Sequence, residues 1–267
     1  PAGAPSPMKM DVRPDVLASD ALTVQVGRRD VVRGLGFRLA PGDTFVILGR
    51  NGAGKTTLLH TLAGLRAAAG GSVLLSGKPY AAWPRGHEAC LRGLLPQSQP
   101  DFFSATVLET ALVGRHPHLG RWAWEGPDDE AIARAALAAV GLADFAGRPV
   151  LSLSGGERQR LAIAALLVQQ PRLYLLDEPL AHLDLHHQIG VLDHFHRLAA
   201  DGAGVVMVLH DINLAARYAS HVLLLDGAGG FACGPARDIL TTARLSAAFG
   251  HPLRAVADGA STLFVPA

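Results

Sequence analysis

Three runs of consecutive apolar residues stand out along the chain, at residues 45–48, 173–176 and 205–209. Apolar residues that are continuous, without alternation, are typical of strands covered on both faces, so the runs predict strands of a parallel sheet. Because parallel strands deliver their carboxyl ends to one edge of a sheet, the residues that follow the runs are expected to lie together. Ligands of open α/β sheets bind at that edge.

The remaining pattern divides the chain into regions. Residues 21–77 are rich in β-forming segments, residues 104–170 are rich in Ala and Leu and predict helices, and residues 173–225 return to strands and helices. A short strand near Phe231 and helices within about residues 236–249 follow. We expect a disordered lead at residues 1–20, a single α/β domain at 21–255 with a helical lobe at about 100–170, and a C-terminal tail at 256–267.

A glycine-rich loop follows the first apolar run and precedes residues that predict a helix. Glycines let main-chain amides approach a phosphate closely, and a helix start offers unpaired N–H groups and the positive end of a dipole. In this strand, loop and helix context the sequence indicates a phosphate-binding loop, in which Lys55 bridges the β- and γ-phosphates and the Thr56 hydroxyl binds Mg²⁺. The loop reads Gly49, Arg50, Asn51, Gly52, Ala53, Gly54, Lys55, Thr56, Thr57.

The other two apolar runs also end in residues suited to phosphoryl chemistry. Asp177 and Glu178 follow the run at 173–176, and His210 follows the run at 205–209. Taken singly, an acidic pair or a histidine after a strand is most often a solvated turn residue. Three strands that each deliver such a residue to the same edge indicate a site for phosphoryl transfer.

Between the glycine loop and the acidic pair lies a second predicted anion cradle. Residues 154–157 read Ser-Gly-Gly-Glu and fit a capping box, with Ser154 as N-cap and the Glu157 side chain on the Ser154 amide. The helix is expected from Arg158 to Gln170, ended by a proline. A capped helix start with two bare glycines can hold an anion; the alternative reading is an ordinary capped helix.

The order of these motifs resembles that of the nucleotide-binding subunits of ABC transporters, and the resemblance covers about residues 21–250. It rests on the glycine loop, Gln97, the segment 153–157, the acidic pair, the segment 181–184 and His210. The resemblance implies a P-loop NTPase fold with a RecA-like core sheet, an antiparallel β subdomain and an inserted helical lobe. It also implies ATP as the substrate nucleotide and Mg²⁺ as the cofactor.

The resemblance assigns roles to individual residues. Glu178 would be the general base for the attacking water, His210 would contact the γ-phosphate, and Asp177 would hold Mg²⁺ through water. Gln97 would sense the metal and the membrane partner. The residues implied in nucleotide binding are Gly49, Asn51, Gly52, Ala53, Gly54, Lys55, Thr56, Thr57, Ser154, Gly155, Gly156 and Asp184.

The two cradles are expected to meet across a homodimer. By the resemblance, ATP is clamped between the glycine loop of one copy and the Ser154 cradle of the other, with Asp184 at the subunit junction. Hydrolysis would then depend on closure of the dimer, and ATP would act as an interfacial ligand that favours the closed state.

Composition narrows the class of protein. The net charge of the 267 residues is +1, which gives no argument for a nucleic-acid partner. No apolar run approaches the ~20 residues that span a bilayer. The chain has two cysteines, which stand far apart in the sequence and predict a reducing cytosol more than a disulfide.

Residues 106–109, 114–118 and 183–188 resemble the importers of ferric siderophores, haem and cobalamin. This implies an integral membrane permease dimer and a periplasmic substrate-binding protein as partners, with the chain peripheral on the cytoplasmic face of the inner membrane. Residues 98–115 would lie near the groove that receives a permease helix. Among the cargoes we favour an iron complex, haem. The alternatives are an exporter or a lipoprotein- or division-related complex, and a soluble ATP-switched regulator or DNA-associated ATPase.

One of the departures from the family pattern concerns the base of the nucleotide. The resemblance implies an aromatic residue that stacks on adenine at about Val26, where this chain has none. An aromatic stack is worth roughly 0.5–1.5 kcal/mol beyond burial. We therefore expect either weak adenine selectivity or a substitute aromatic elsewhere.

Overall fold

A computed structural model describes residues 15–97, 104–120, 123–259 and 261–267, with the side chain of Ser261 outside the description. The strands of this part of the chain are β1 (Leu17–Val26), β2 (Arg29–Leu39), β3 (Thr44–Gly49), β4 (Gly70–Leu75), β5 (Lys78–Pro79), β6 (Arg92–Leu95), β7 (Leu173–Asp177), β8 (Gly204–Val208), β9 (His221–Leu225), β10 (Phe231–Pro235), β11 (Leu253–Asp258) and β12 (Ser261–Pro266). The α-helices are α1 (Lys55–Leu62), α2 (His87–Leu91), α3 (Val107–Leu112), α4 (Pro127–Ala139), α5 (Gly155–Gln169), α6 (Leu185–Ala200), α7 (Ile212–Tyr218), α8 (Ala236–Ile239) and α9 (Thr242–Phe249).

The central sheet has the strand order β10-β9-β3-β8-β7-β6 and is parallel apart from β10. Every residue of β3, β7 and β8 is buried. Alternate residues along these strands belong to two different apolar clusters, with Val46 in one and Phe45 and Ile47 in the other. Both faces of the sheet are therefore covered, which confirms the prediction from the continuous apolar runs.

A second, antiparallel sheet precedes and follows the glycine loop, in the order β2-β1-β4-β5. β1 begins at Leu17, which is fully buried and pairs with Leu39 and Leu75 on the two neighbouring strands. β1 therefore starts four residues before the predicted boundary at residue 21, because these apolar residues complete the sheet. The lead predicted at residues 1–20 thus includes the first residues of a strand, and residues 1–14 lie outside the described part.

The predicted helical lobe consists of α3, α4 and α5, which pack on one another. Buried Leu137 of α4 and Leu161 of α5 share one cluster with the central sheet, so the lobe continues the core of the molecule. Residues 98–103 and 121–122 of this region lie outside the described residues. The predicted fold class, a P-loop NTPase with a core sheet, an antiparallel subdomain and a helical insertion, is confirmed.

The end of the chain forms a hairpin of β11 and β12 that crosses the boundary predicted at residue 255. The Asn213 side chain of α7 donates to the Phe264 carbonyl at 3.2 Å and accepts from the Phe264 amide at 2.8 Å. An amide side chain thereby pairs with β12 as a neighbouring strand would. These hydrogen bonds hold the hairpin on α7, the helix that follows His210. The sequence pattern does not predict this contact.

Candidate active site

The glycine loop joins β3 to α1 in a conformation that needs its glycines. Gly54 has φ +99°, and a Cβ there would come within 2.5 Å of a Val31 methyl. Gly49 has φ +152°, and a Cβ there would lie 2.9 Å from the Leu225 carbonyl oxygen. No side chain caps the start of α1. Its first amides are therefore available to an anion at the positive end of the helix dipole.

Lys55 lies inside the loop and is only 5 % exposed. Its Nζ donates to the carbonyl oxygens of Gly49 at 2.9 Å and Arg50 at 3.1 Å. Burial lowers the pKa of the Lys55 ammonium. The negative charges of Glu178 and Asp177 act in the opposite direction and raise it, but by less. An ammonium group has three donors, so a phosphate oxygen can be held by the remaining N–H.

Asp177 ends β7 and is completely buried, and neither of its carboxylate oxygens has a hydrogen-bond partner among the described residues. Burial raises the pKa of this carboxyl, while the nearby Thr56 hydroxyl lowers it without making a hydrogen bond of normal geometry. A buried carboxylate without a partner is costly, and carboxylate and hydroxyl oxygens are the ligands that Mg²⁺ prefers. The residues present therefore fit a magnesium ion.

The unpartnered carboxylate of Asp177 leads to a stability prediction. Because burial raises its folded-state pKa above the unfolded value, ionised Asp177 destabilises the folded chain at neutral pH. We expect metal-free and nucleotide-free Asp177→Asn to unfold at a higher denaturant concentration than the unmodified chain at about pH 7.5. The difference should shrink as the pH falls through the folded-state pKa, since the wild-type carboxyl is then protonated.

Denaturant unfolding at a series of pH values measures this difference. Asp20→Asn is the matched control, because Asp20 is exposed and lies 3.9 Å from Arg38, and it should change stability by no more than about 0.5 kcal/mol. A lower stability of Asp177→Asn at neutral pH would contradict the assignment of an uncompensated charge.

Glu178 and His210 face each other across the edge of the sheet. The Glu178 Oε1 lies 2.8 Å from the His210 Nε2. Glu178 has φ +51°, a left-handed conformation that is uncommon for a non-glycine residue and costs of order 1–3 kcal/mol. The fold therefore holds this carboxylate in a fixed position beside the loop.

A cleft of about 390 Å³ contains these groups. Its walls bring together residues from five separate parts of the sequence, and the residues after the three apolar runs are among them, as the strand-edge argument predicts. The lining residues are Val26, Arg29, Asn51, Gly52, Gly54, Lys55, Thr56, Thr57, Gln97, Glu178 and His210. Gln97 is exposed at this cleft.

The predicted second cradle has the expected local structure. The Ser154 Oγ accepts from the Glu157 amide at 3.3 Å, and the Glu157 Oε2 accepts from the Ser154 amide at 2.7 Å, so the capping box is confirmed. The helix begins at Gly155, three residues earlier than predicted, because the capping box fixes its start. It ends at Gln169.

The second cradle does not join the cleft of its own chain. Ser154, Gly155, Gly156 and Asp184 are absent from the residues that line it. Gly156 packs under the segment before Asp184, since a Cβ there would come within 2.8 Å of the His182 carbonyl oxygen. In one copy of the chain the second predicted half of the nucleotide site therefore does not line the cleft that contains the first.

Asp184 has a defined local role as N-cap of α6. Its Oδ1 accepts from the His187 amide at 2.9 Å and lies 2.8 Å from the His187 Nδ1. The hydrogen bond from the His187 amide holds the pKa of the Asp184 carboxyl below its usual range. The residues just before α6 are therefore held at two points: the His182 backbone packs on Gly156, and Asp184 caps the helix.

Arg29 is a cleft residue that sequence reasoning missed. It lines the cleft beside Val26, and its guanidinium donates to the Gly52 carbonyl at 2.6 Å. The Gly27-Arg28 pair between two strand-like segments could have predicted a tight hairpin here. Such a hairpin places the residues before and after the turn opposite each other.

The fold and the cleft define an ATP-binding, ATP-hydrolysing P-loop domain of the ABC class. The chain matches the ABC transporter family over residues 32–181 and belongs to that family. Among the proteins that it is similar to are two named hemin import ATP-binding protein HmuV. That of Gloeobacter violaceus is 41 % identical over 242 residues, which cover 88 % of this chain and 87 % of the relative. That of Deinococcus radiodurans is 42 % identical over 243 residues, covering 89 % and 91 %.

Solved structures agree with this placement. A metal-chelate type ABC transporter in an inward-facing conformation is similar with a TM-score of 0.82 and 32 % identity, over 95 % of this chain and 98 % of that chain. A bacterial Atm1-family ABC exporter with ATP bound is similar with a TM-score of 0.72 and 26 % identity, over 90 % of this chain and 42 % of the exporter. Importers and exporters thus share this domain. In the described part of this chain no helix is long and apolar enough to cross a membrane.

Proposed function

We propose that this chain is the ATPase subunit of an importer that takes up an iron complex, haem. The observation that carries the proposal is the similarity, over nearly nine tenths of the chain, to several bacterial proteins named for hemin import. The similarity to a metal-chelate type transporter supports the same class of cargo. In this proposal the cargo is bound by a permease and a periplasmic substrate-binding protein, and this chain supplies the energy.

The proposed catalytic roles follow from the cleft. Lys55 and the uncapped amides of α1 hold the phosphates, and Thr56, Asp177 and Gln97 hold Mg²⁺. Bound there, Mg²⁺ would supply positive charge to neutralise the phosphate oxygens. Glu178 accepts the proton of the attacking water.

His210 has a positioning role in addition to a phosphate contact. Its Nε2 lies 2.8 Å from the Glu178 carboxylate, which keeps that carboxylate at the end of the cleft. Most of the rate enhancement comes from positioned cation and amide donors, since phosphoryl transfer needs little covalent chemistry from the protein.

We propose that the working unit is a head-to-tail homodimer. The Ser154 cradle has the form of an anion site yet lies away from the cleft of its own chain. A second copy would place its Ser154, Gly155 and Gly156 over the nucleotide, with Asp184 at the junction. Each nucleotide would then complete an interface, and its hydrolysis would release that interface.

The proposed permease partner has a groove to dock in. The groove of about 610 Å³ lies between the end of β6, α3 and α5 and is lined mainly by apolar side chains, including Leu94, Pro96 and Leu166. Val113 on its rim is 53 % exposed. An apolar groove of this kind can receive the apolar face of a helix, and we propose that a cytoplasmic helix of the permease docks there. The predicted docking segment 98–115 borders the groove through Ala105 and Glu109, and its residues 98–103 lie outside the description.

The chain is accordingly proposed to be peripheral, on the cytoplasmic face of the inner membrane.

The importer and its cargo are tested by purifying the complex with its membrane subunit and reconstituting it with the periplasmic protein in liposomes. We expect haem-loaded periplasmic protein to stimulate ATP hydrolysis and haem accumulation, whereas ferric siderophore and cobalamin do not. Stimulation by another cargo alone would overturn the haem assignment, and full turnover without any membrane partner would overturn the importer assignment in favour of a soluble regulator.

A further inference from the structure

The hairpin between β1 and β2 places two side chains on one wall of the cleft. Its turn consists of Gly27, with φ +60°, and Arg28. Val26 and Arg29 flank the turn as a directly opposed pair. Opposed residues of an antiparallel pair project to the same side. Both line the cleft, and Val26 is 41 % exposed there.

The Arg29 guanidinium is held in place by backbone carbonyls on two sides. Its Nη2 donates to Gly52 in the glycine loop at 2.6 Å, and its Nη1 donates to Gly227 in the turn after β9 at 3.5 Å. Two contacts from one planar group fix the orientation of that plane. A flat cation with a fixed orientation can stack face to face on an aromatic ring, whereas a lysine ammonium is a compact charge without a planar face.

The position of this pair relative to the catalytic groups suggests which part of a nucleotide it meets. Glu178, His210 and Gln97 come from the edge of the central sheet, whereas Val26 and Arg29 come from the antiparallel sheet. A triphosphate held on the loop with its γ-phosphate at Glu178 directs its base away from that edge. The base then meets the wall that the antiparallel sheet supplies.

No Phe, Tyr or Trp is among the described residues that line the cleft. The His210 imidazole ring lies beside Glu178, where the γ-phosphate is proposed to bind, so the described lining offers the base no aromatic ring to stack on. We propose that the Arg29 guanidinium, flanked by the Val26 methyl groups, is the platform on which the nucleobase stacks. This inference rests on the proposed ATPase site.

Stacking of this kind recognises the face of the base and not its edge. Since every purine offers a similar π face, we expect ATP and GTP to bind with similar affinity. Loss of a stacking partner costs enough to weaken binding about tenfold. The triphosphate chain would keep its own contacts, so its affinity should not depend on Arg29.

Equilibrium binding of Mg-ATP and of inorganic tripolyphosphate to the full chain tests the proposal. Arg29→Ala should weaken ATP binding about tenfold and leave tripolyphosphate binding unchanged. Arg29→Lys, which keeps the charge without the plane, should behave like Arg29→Ala. Arg28→Ala is the matched control, because Arg28 lies in the same turn outside the cleft lining, and it should leave both affinities unchanged. Val26→Tyr added to Arg29→Ala should restore ATP binding.

Three results would overturn the assignment of Arg29 as the stacking platform. Arg29→Ala could bind ATP normally, it could weaken tripolyphosphate as much as ATP, or Arg29→Lys could retain full ATP affinity. The second result would mean that Arg29 braces the loop or contacts phosphate, and the third that its charge alone matters. Failure of the underlying site is distinguishable, since the unmodified chain would then bind neither ligand and Lys55→Ala would change nothing.

Discussion

Glu178→Gln is expected to bind ATP with nearly unchanged affinity and to hydrolyse it about 10²–10⁴-fold more slowly. The Gln amide has the same shape as the carboxylate and can still pair with the His210 imidazole, whose Nε2 lies 2.8 Å from the Glu178 carboxylate. It cannot accept a proton from water. Binding and chemistry are thereby separated, and single-turnover hydrolysis together with equilibrium nucleotide binding measures each of them.

The matched control for this variant is Glu130→Gln. Glu130 is half-buried on α4, where it pairs with Arg134, and it lies outside the cleft lining. The control should hydrolyse ATP as the unmodified chain does. Turnover of Glu178→Gln within a few-fold of the unmodified rate would show that the base lies elsewhere. Because the same substitution should hold ATP in the site, the variant also serves as the trapped form for the interface test described below.

The parts of the site that the sequence predicts are those whose structure depends on residues close together in the chain. The continuous apolar runs predict buried parallel strands because both faces of β3, β7 and β8 must be covered. The capping box at Ser154 is a four-residue pattern, and its hydrogen bonds close within those four residues. Such features need no knowledge of the rest of the fold.

The parts that were missed depend on contacts between distant segments. Arg29 reaches Gly227, which is 198 positions further along the chain. Asn213 pairs with Phe264 across 51 positions. No periodicity in the sequence predicts that this amide side chain hydrogen-bonds to the backbone of β12. The start of β1 at Leu17 is likewise set by partners on β2 and β4. Propensity and pattern are local quantities, so they do not determine which residues face a shared cleft.

The two halves of the nucleotide site also have local causes, whereas their relation to each other does not. The glycine loop and the capping box predict two anion cradles, and the fold gives each its local geometry. Within one chain the Ser154 cradle is not part of the cleft that contains Lys55. The function of the second cradle therefore has to be tested at the level of the assembly, with a change that alters its charge and spares its fold.

Ser154→Asp is such a change. Aspartate caps helices as well as serine does, so we expect the stability of the chain to change by less than about 1 kcal/mol. The new carboxylate would lie at the start of α5, where the γ-phosphate of a partner's nucleotide is proposed to bind. Removing this stabilisation and replacing it with repulsion should lower the ATPase rate by at least about 10²-fold. ATP binding to the isolated chain, which uses the other cradle, should be unchanged.

Thr106→Asp provides the matched control, because Thr106 caps α3 with the same capping box to Glu109. Both substitutions place a carboxylate beside the glutamate of a capping box, but only Ser154 is proposed to face a nucleotide. In the Glu178→Gln background, ATP should drive dimer formation in size-exclusion chromatography. Addition of Ser154→Asp should abolish the ATP-induced dimer, whereas addition of Thr106→Asp should leave it intact. A dimer that forms equally with Ser154→Asp would mean that this cradle does not hold the partner's phosphate, and the head-to-tail arrangement would have to be abandoned.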